Sequence, residues 1–200
     1  IIVISFTSLS VIAALWLAAS LFRKTKELPY LGEPGHVAGD FSFINQQGKE
    51  ITAADVQGKV TVVEYFFTSC PGICKVMNHN LQKVYAAYEQ DSLFTILSHS
   101  VDPEKDSVPV LAAYAAGMQV KPENWQFLTG DKYLLYHTAR TDYLLSVEEA
   151  GVATGSAEDF IHTQYVALLD KERRIRGFYD ATDSTSIERL IDDIAQLQSR

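Results

Sequence analysis

Residues 60–74 read VTVVEYFFTSCPGIC, and this stretch decides the fold. Val60 to Phe67 is a dense run of β-branched and aromatic side chains, the composition of a strand buried on both faces. After Thr68 and Ser69 the pattern changes. From Pro71 to Tyr88, residues Ile73, Val76, Met77, Leu81, Val84 and Tyr88 fall on one stripe at helical spacing. Pro71 suits the first helical position, where a missing N–H costs nothing. A central strand therefore runs straight into a helix, and both cysteines of the chain, Cys70 and Cys74, sit at the corner.

Working outward, Phe94 to Val101 is a second buried strand and Trp125 to Leu128 a shorter third. Tyr165 to Leu169 and Ile175 to Tyr179 flank the polar Asp170-Lys171-Glu172-Arg173 and predict an antiparallel hairpin. Lys171, Arg173, Arg174 and Arg176 are mixed with acids and read as a solvated hairpin tip. Helical patterns cover Val108 to Met118, which is Ala-rich, and Ser186 to Leu197, with Ile187, Leu190, Ile191, Ile194 and Leu197 on one face. Upstream, Phe41, Phe43 and Ile44, then Gln46-Gln47-Gly48-Lys49, then Ile51 predict a short hairpin turning at the glycine. Strands alternating with helices imply an α/β sheet covered on both faces. No internal repeat or low-complexity segment interrupts it, and residues 146–158 (SVEEAGVATGSAE) read as a surface insertion.

Residues 1–22 (IIVISFTSLSVIAALWLAASLF) carry no charge. A helix of about 20 apolar residues spans the hydrocarbon core of a bilayer, so this segment is expected to be a transmembrane anchor. A cleaved signal peptide ending near Ala18-Ala19-Ser20 is the alternative. Arg23, Lys24 and Lys26 follow, and residues 23–38, with two prolines, read as a linker to a domain at 39–200. The positive flank alone leaves the orientation open. The net charge of −8 argues against nucleic acid as a partner, which requires a basic face toward phosphate.

A helix N-terminus stabilises thiolate, so both cysteine sulfurs are expected to be good nucleophiles and ligands. Two such sulfurs select a soft ion such as Cu(I), or form a reversible disulfide. A structural zinc is disfavoured, because it takes four protein ligands and the chain has only two cysteines. Chance placement of two inert core cysteines four positions apart at this corner is a weak alternative.

A third ligand would complete a trigonal site, and the candidates are His36, His79, His99, His137 and His162. His36 lies in the linker. His79 and His137 fall on expected helices and read as surface or satisfied residues. His99 lies in a strand and reads as packed. His162 stands just before the strand at 165–169. In a thioredoxin-like sheet that loop borders the cysteine corner, which favours His162 as the ligand.

Cys70-Pro71-Gly72-Ile73-Cys74, Val101-Asp102-Pro103-Glu104-Lys105-Asp106 and His162-Thr163 before a Leu-rich strand, in that order, resemble the Sco/SenC family. The resemblance covers about residues 39–200, and the apolar segment ahead of it fits as well. It implies a thioredoxin fold and one copper ion, Cu(I) or Cu(II), held by Cys70, Cys74 and His162. It also implies assistance in assembling the binuclear copper centre of cytochrome c oxidase. A cuproprotein client, a thiol reductant and a membrane are then the partners. The domain would stand on the non-cytoplasmic side, in the bacterial periplasm or the mitochondrial intermembrane space. Gly72 and Lys75 depart from the family, many of whose members carry an acid and a proline there. Lys75 would favour the thiolate of Cys74 and tilt the site toward redox chemistry.

Asp102 reads either as the family's acid after the second central strand or as a turn-starting residue before Pro103. Glu64 lies inside the central strand, six residues before Cys70. It reads either as a buried acid assisting proton transfer, as thioredoxins have, or as a strand-end acid reaching solvent. Two functions follow from the dithiol: a metallochaperone without turnover, needing all three ligands, or a thiol–disulfide oxidoreductase, needing only Cys70 and Cys74. A peroxidase is a weaker third, since no arginine lies close to either cysteine in sequence.

Overall fold

The computed structural model describes residues 27–145 and 163–199. Strands β1 (Ser42–Asn45), β2 (Glu50–Thr52), β3 (Val60–Phe66), β4 (Phe94–Ser100), β5 (Trp125–Thr129), β6 (Tyr165–Leu169) and β7 (Ile175–Asp180) form one sheet. Their order across it is β2-β1-β5-β4-β3-β6-β7. The central β3, β4 and β5 are parallel, and the outer strands are antiparallel. The helices are α1 (Ala53–Val56), α2 (Ile73–Tyr88), α3 (Val108–Met118), α4 (Lys132–Thr141) and α5 (Ser184–Gln198).

Every residue of β3 and β4 is buried, which is why their sequences show no polar alternation. The side chains still alternate between two cores. Val60, Val62 and Phe66 pack with α2, α3 and α5. Val63 and Tyr65 pack with α1, α4 and Tyr143 on the other face. The hairpin turns at Gly48, whose φ of +75° lies in the left-handed region that glycine tolerates.

Four expectations are corrected. Helix α2 begins at Ile73 behind Gly72, so Pro71 precedes the helix. Its buried stripe is Cys74, Met77, Leu81, Val84 and Tyr85, while Ile73 and Val76 are 37% and 49% exposed. The described part of the expected linker is not loose: Leu31 N–H donates to Ile175 O (2.9 Å) and Ala38 N–H to Arg173 O (3.0 Å). Arg176 is not solvated either. Its side chain is 3% exposed and pairs with Asp170, 5% exposed, at 2.9 Å. The same guanidinium donates to Leu28 O (2.5 Å) and Pro29 O (2.9 Å), and it lies 4.1 Å from the Tyr30 ring centroid. A buried charge survives only with such partners, and here they strap residues 28–38 to the β6–β7 hairpin.

Among the described residues no helix is long and apolar enough to cross a membrane. The expected anchor at 1–22 and the insertion at 146–158 lie outside the described residues.

Candidate metal centre

Beyond the end of β3 the chain turns through Phe67-Thr68-Ser69 into the cysteine corner. Asp106 holds this turn. Its buried carboxylate accepts the Thr68 N–H (3.2 and 3.3 Å), the Thr68 hydroxyl and the Ser100 hydroxyl (2.6 Å). The corner is thereby tied to the end of the neighbouring strand β4. Cys70 N–H then donates to Phe67 O at 3.2 Å.

Cys70 and Cys74 are both free and both buried. The Cys74 N–H donates to Cys70 Sγ at 3.4 Å. An amide at the start of α2 therefore points at sulfur, as expected of a helix N-terminus. The expectation that both thiols are acidified fails at Cys74. Its thiol is pushed far above the ordinary range, first by burial and next by its hydrogen bond with Cys70. Cys74 belongs to the inward stripe of α2, and there loss of water outweighs the helix dipole. Lys75 is exposed, and a side chain at Gly72 would meet nothing within 4 Å, so both departures from the family pattern face outward.

The described histidines lie apart from the two sulfurs. His36 Nε2 bonds Asp142 O at 2.9 Å. His79 and His137 are exposed on α2 and α4. His99 is fully buried on the opposite face of the sheet, stacked on Tyr65 with ring centroids 4.9 Å apart. Among the described residues no three His, Cys, Asp or Glu side chains cluster as a metal would need. The corner thus offers two soft donors, which suit a thiophilic ion, and His162 lies outside the described residues.

Glu64 is fully buried, which excludes a strand-end acid reaching solvent. It lies on the α2 side of the sheet, opposite Ser98 in register, and accepts the Ser98 hydroxyl. Trp125 Nε1 donates to Ser98 Oγ at 2.7 Å. With its amide nitrogen toward the carboxylate, Asn78 donates to both Glu64 oxygens (2.8 and 3.2 Å) and accepts from the Tyr114 hydroxyl (2.7 Å). Burial lifts the Glu64 carboxyl to about 7, against the opposing pull of Ser98. Asp102 starts a turn: its carbonyl accepts the N–H of Lys105 (3.1 Å) and Asp106 (2.8 Å), and its carboxylate pairs with Lys105 at 3.1 Å. Asn78, Ser98 and Tyr114 carry no signal in the sequence as site residues, and Asp106 shows only as the last residue of the Val101–Asp106 motif, because each acts through a partner that only the sheet register or helix packing supplies.

The chain is 28% identical over 156 residues to the SCO1 protein homolog of Bacillus subtilis (strain 168), covering 77% of this chain and 79% of that one. It shares its fold with BsSco, a member of the Sco family of cytochrome c oxidase assembly proteins in which a disulfide switch was identified. The TM-score is 0.70 at 24% identity, over 86% of this chain and 98% of that one. The copper-bound ScoI of Arabidopsis thaliana aligns with a TM-score of 0.63 at 25% identity, over 80% and 99% of the two chains. The SCO1/SenC family model matches residues 31–199, from the strap to the end of α5, and the chain belongs to that family.

Proposed function

We propose that this protein is a copper metallochaperone that carries one copper ion on Cys70, Cys74 and His162 and serves the binuclear copper site of cytochrome c oxidase. The observation that carries the reading is the cysteine corner itself: two free, buried thiols with an amide directed at one sulfur. Copper is cargo here, and thiolate ligation releases the thiol protons as the ion enters. A third, nitrogen ligand suits Cu(II) as well as Cu(I). The copper-bound Arabidopsis relative and the oxidase-assembly role of BsSco support the same assignment. The apolar segment 1–22 supports a membrane-held domain, and the dithiol chemistry favours a non-cytoplasmic face for it.

Thiol–disulfide exchange on a cuproprotein's cysteines is the second reading. It is favoured by Glu64, a buried acid on the same face of the sheet as α2, and it calls for an external thiol reductant. Anaerobic copper titration separates the two. With a metallochaperone, the wild type binds one equivalent, His162→Ala loses Cu(II) by at least tenfold, and Cys70→Ala loses copper altogether. Full Cu(II) affinity in His162→Ala, with exchange activity intact, leaves only the oxidoreductase.

A further inference from the structure

The docked strap leaves a short tether between the apolar segment and the domain. Leu28 O and Pro29 O are held by the Arg176 guanidinium at 2.5 and 2.9 Å, and the Tyr30 ring lies 4.5 Å from the Arg174 guanidinium and 4.1 Å from that of Arg176. Only residues 23–27 (RKTKE) stand between Phe22 and the strap. A fully stretched chain advances at most about 3.6 Å per residue, so the steps from Phe22 to Leu28 reach about 22 Å. A free linker through residue 38 would reach about 60 Å.

The strap joins the domain at one end of the sheet. Arg176, which holds it, follows Ile175, and Ile175 pairs with Leu169. The antiparallel register sets Leu169 against Thr61 and Ala167 against Val63, so the β6–β7 turn lies at the N-terminal end of β3. Gly58 N–H, just ahead of β3, donates to Lys171 O at 3.0 Å. Lys171 Nζ donates to Gln198 O at 3.3 Å and Gln198 Nε2 to Asp91 Oδ2 at 2.6 Å, which brings the last turn of α5 and the loop after α2 to the same end. The dithiol lies at the opposite end, beyond Phe66. Thr61 to Phe66 spans about 17 Å at a strand's rise, and the 16 residues of α2 run back about 24 Å.

The headgroup layer outside the hydrocarbon core is roughly 5–8 Å thick, which leaves a stretched tether about 15 Å above it. Laying the dithiol on the headgroups would lift the strap by more than about 17 Å, beyond that reach. We infer that the β6–β7 turn, the start of β3 and the last turns of α2 and α5 form the face held against phospholipid headgroups, with the dithiol on the far end of the domain. The inference rests on the membrane-held reading of the proposed function. This end carries both signs of charge, Lys59, Lys171 and Arg174 beside Glu89, Asp91 and Glu172, so the attachment assigns the surface and charge does not. A client then meets the dithiol clear of the bilayer, and its copper-accepting side chains must stand at a similar height.

The test uses the full 200-residue chain reconstituted in phosphatidylcholine vesicles that carry a nitroxide headgroup in both leaflets. One fluorophore is attached in a Cys70→Ser, Cys74→Ser background, at Glu172→Cys or Glu89→Cys on the near end, or at Lys75→Cys or Glu104→Cys on the far end. Quenching should be at least twofold stronger at both near-end sites. In the unmodified chain, in nanodiscs of the same lipids, the amides of residues 171–174 should relax faster than those of residues 102–106. Ten Gly and Ser residues inserted between Lys26 and Glu27 add about 18 Å of reach and should shrink the difference between the two ends. Equal or reversed quenching, or equal or reversed relaxation, in a chain that floats with the vesicles overturns the inference and leaves the membrane-held reading standing. So does a difference that the insertion leaves undiminished, because the tether would not be its cause. A chain that fails to float with the vesicles rejects the membrane-held reading and the inference with it.

Discussion

Glu64 and Ser98 face one another across the parallel strands β3 and β4, and the serine hydroxyl donates to a carboxyl that no water reaches. With the carboxyl raised to about 7, the folded chain keeps a proton that the unfolded chain, at 4.5, has released. That contribution to stability is complete below pH 4.5 and is lost as pH rises to 7. The loss amounts to about 3 kcal/mol. Glu64→Gln keeps the hydrogen-bonding shape without the charge. Urea unfolding at pH 5 and pH 8 should show the variant gaining on the wild type by about that amount at the higher pH. Equal pH slopes would refute the buried acid. Slower thiol–disulfide exchange in the same variant would tie the acid to the dithiol, and an unchanged rate would restrict it to folding.

What the sequence made legible follows from the range of the interactions involved. The run VTVVEYFF declares a buried strand by composition alone, and Gly48 declares a turn by its own backbone freedom. Arg176 was misread because its partners are distant: Asp170 is six positions away, but the Leu28 and Pro29 carbonyls are 148 and 147 away. Glu64 was ambiguous because its burial depends on registering β3 against β4. Ile73 and Val76 continue the apolar pattern of α2 although the core does not reach them, and the sequence alone does not distinguish a core stripe from an exposed one. The two sulfur positions were legible from spacing. The raised pKa of the Cys74 thiol was not, since it turns on which side of α2 faces inward.

The strap predicts a separable effect at the hairpin. Arg176→Met removes the cation that holds Leu28 O, Pro29 O and the Tyr30 ring. Asp170 keeps Arg174 as a partner at 3.0 Å, so the damage falls between an exposed and a fully orphaned pair, about 2–3 kcal/mol. Residues 28–38 should then detach first. A glutamate-specific protease should cut at Glu33 in the variant under conditions that spare the wild type. Equal cleavage would show that the Leu31 and Ala38 backbone bonds suffice to hold the strap.

His99 predicts the acid limb of stability. Both ring nitrogens lack a hydrogen-bond partner. Burial lowers its pKa from 6.5 to about 3, against the opposing pull of the Glu64 and Leu97 backbones. Here the unfolded chain takes up the proton first, so stability falls as pH drops from 6.5 toward 3. His99→Phe fits a site already lined by Phe43, Tyr65 and Tyr143. It should unfold at lower pH than the wild type and gain about 1–2 kcal/mol at neutral pH from relieving the orphaned nitrogens. An unchanged acid midpoint would mean that His99 is not the group that titrates.

Asp106 predicts coupling between the fold and the metal centre. It is the acceptor for Thr68, two residues before Cys70, and for Ser100 at the end of β4. Asp106→Ala strands a buried amide and two hydroxyls, at a cost of about 2–4 kcal/mol. Asp106→Asn keeps an acceptor for the amide and should cost less than half as much. If the clamp only stabilises the fold, copper affinity at 10 °C, where both variants remain folded, should match the wild type. If it also preorganises the sulfurs, competition against a copper chelator should show weaker binding in Asp106→Ala and an intermediate value in Asp106→Asn. The second outcome is expected, because Cys70 Sγ keeps its amide contact only while the turn from Phe67 holds its shape. Unfolding transitions of the two variants that coincide with the wild type would dismiss the clamp altogether.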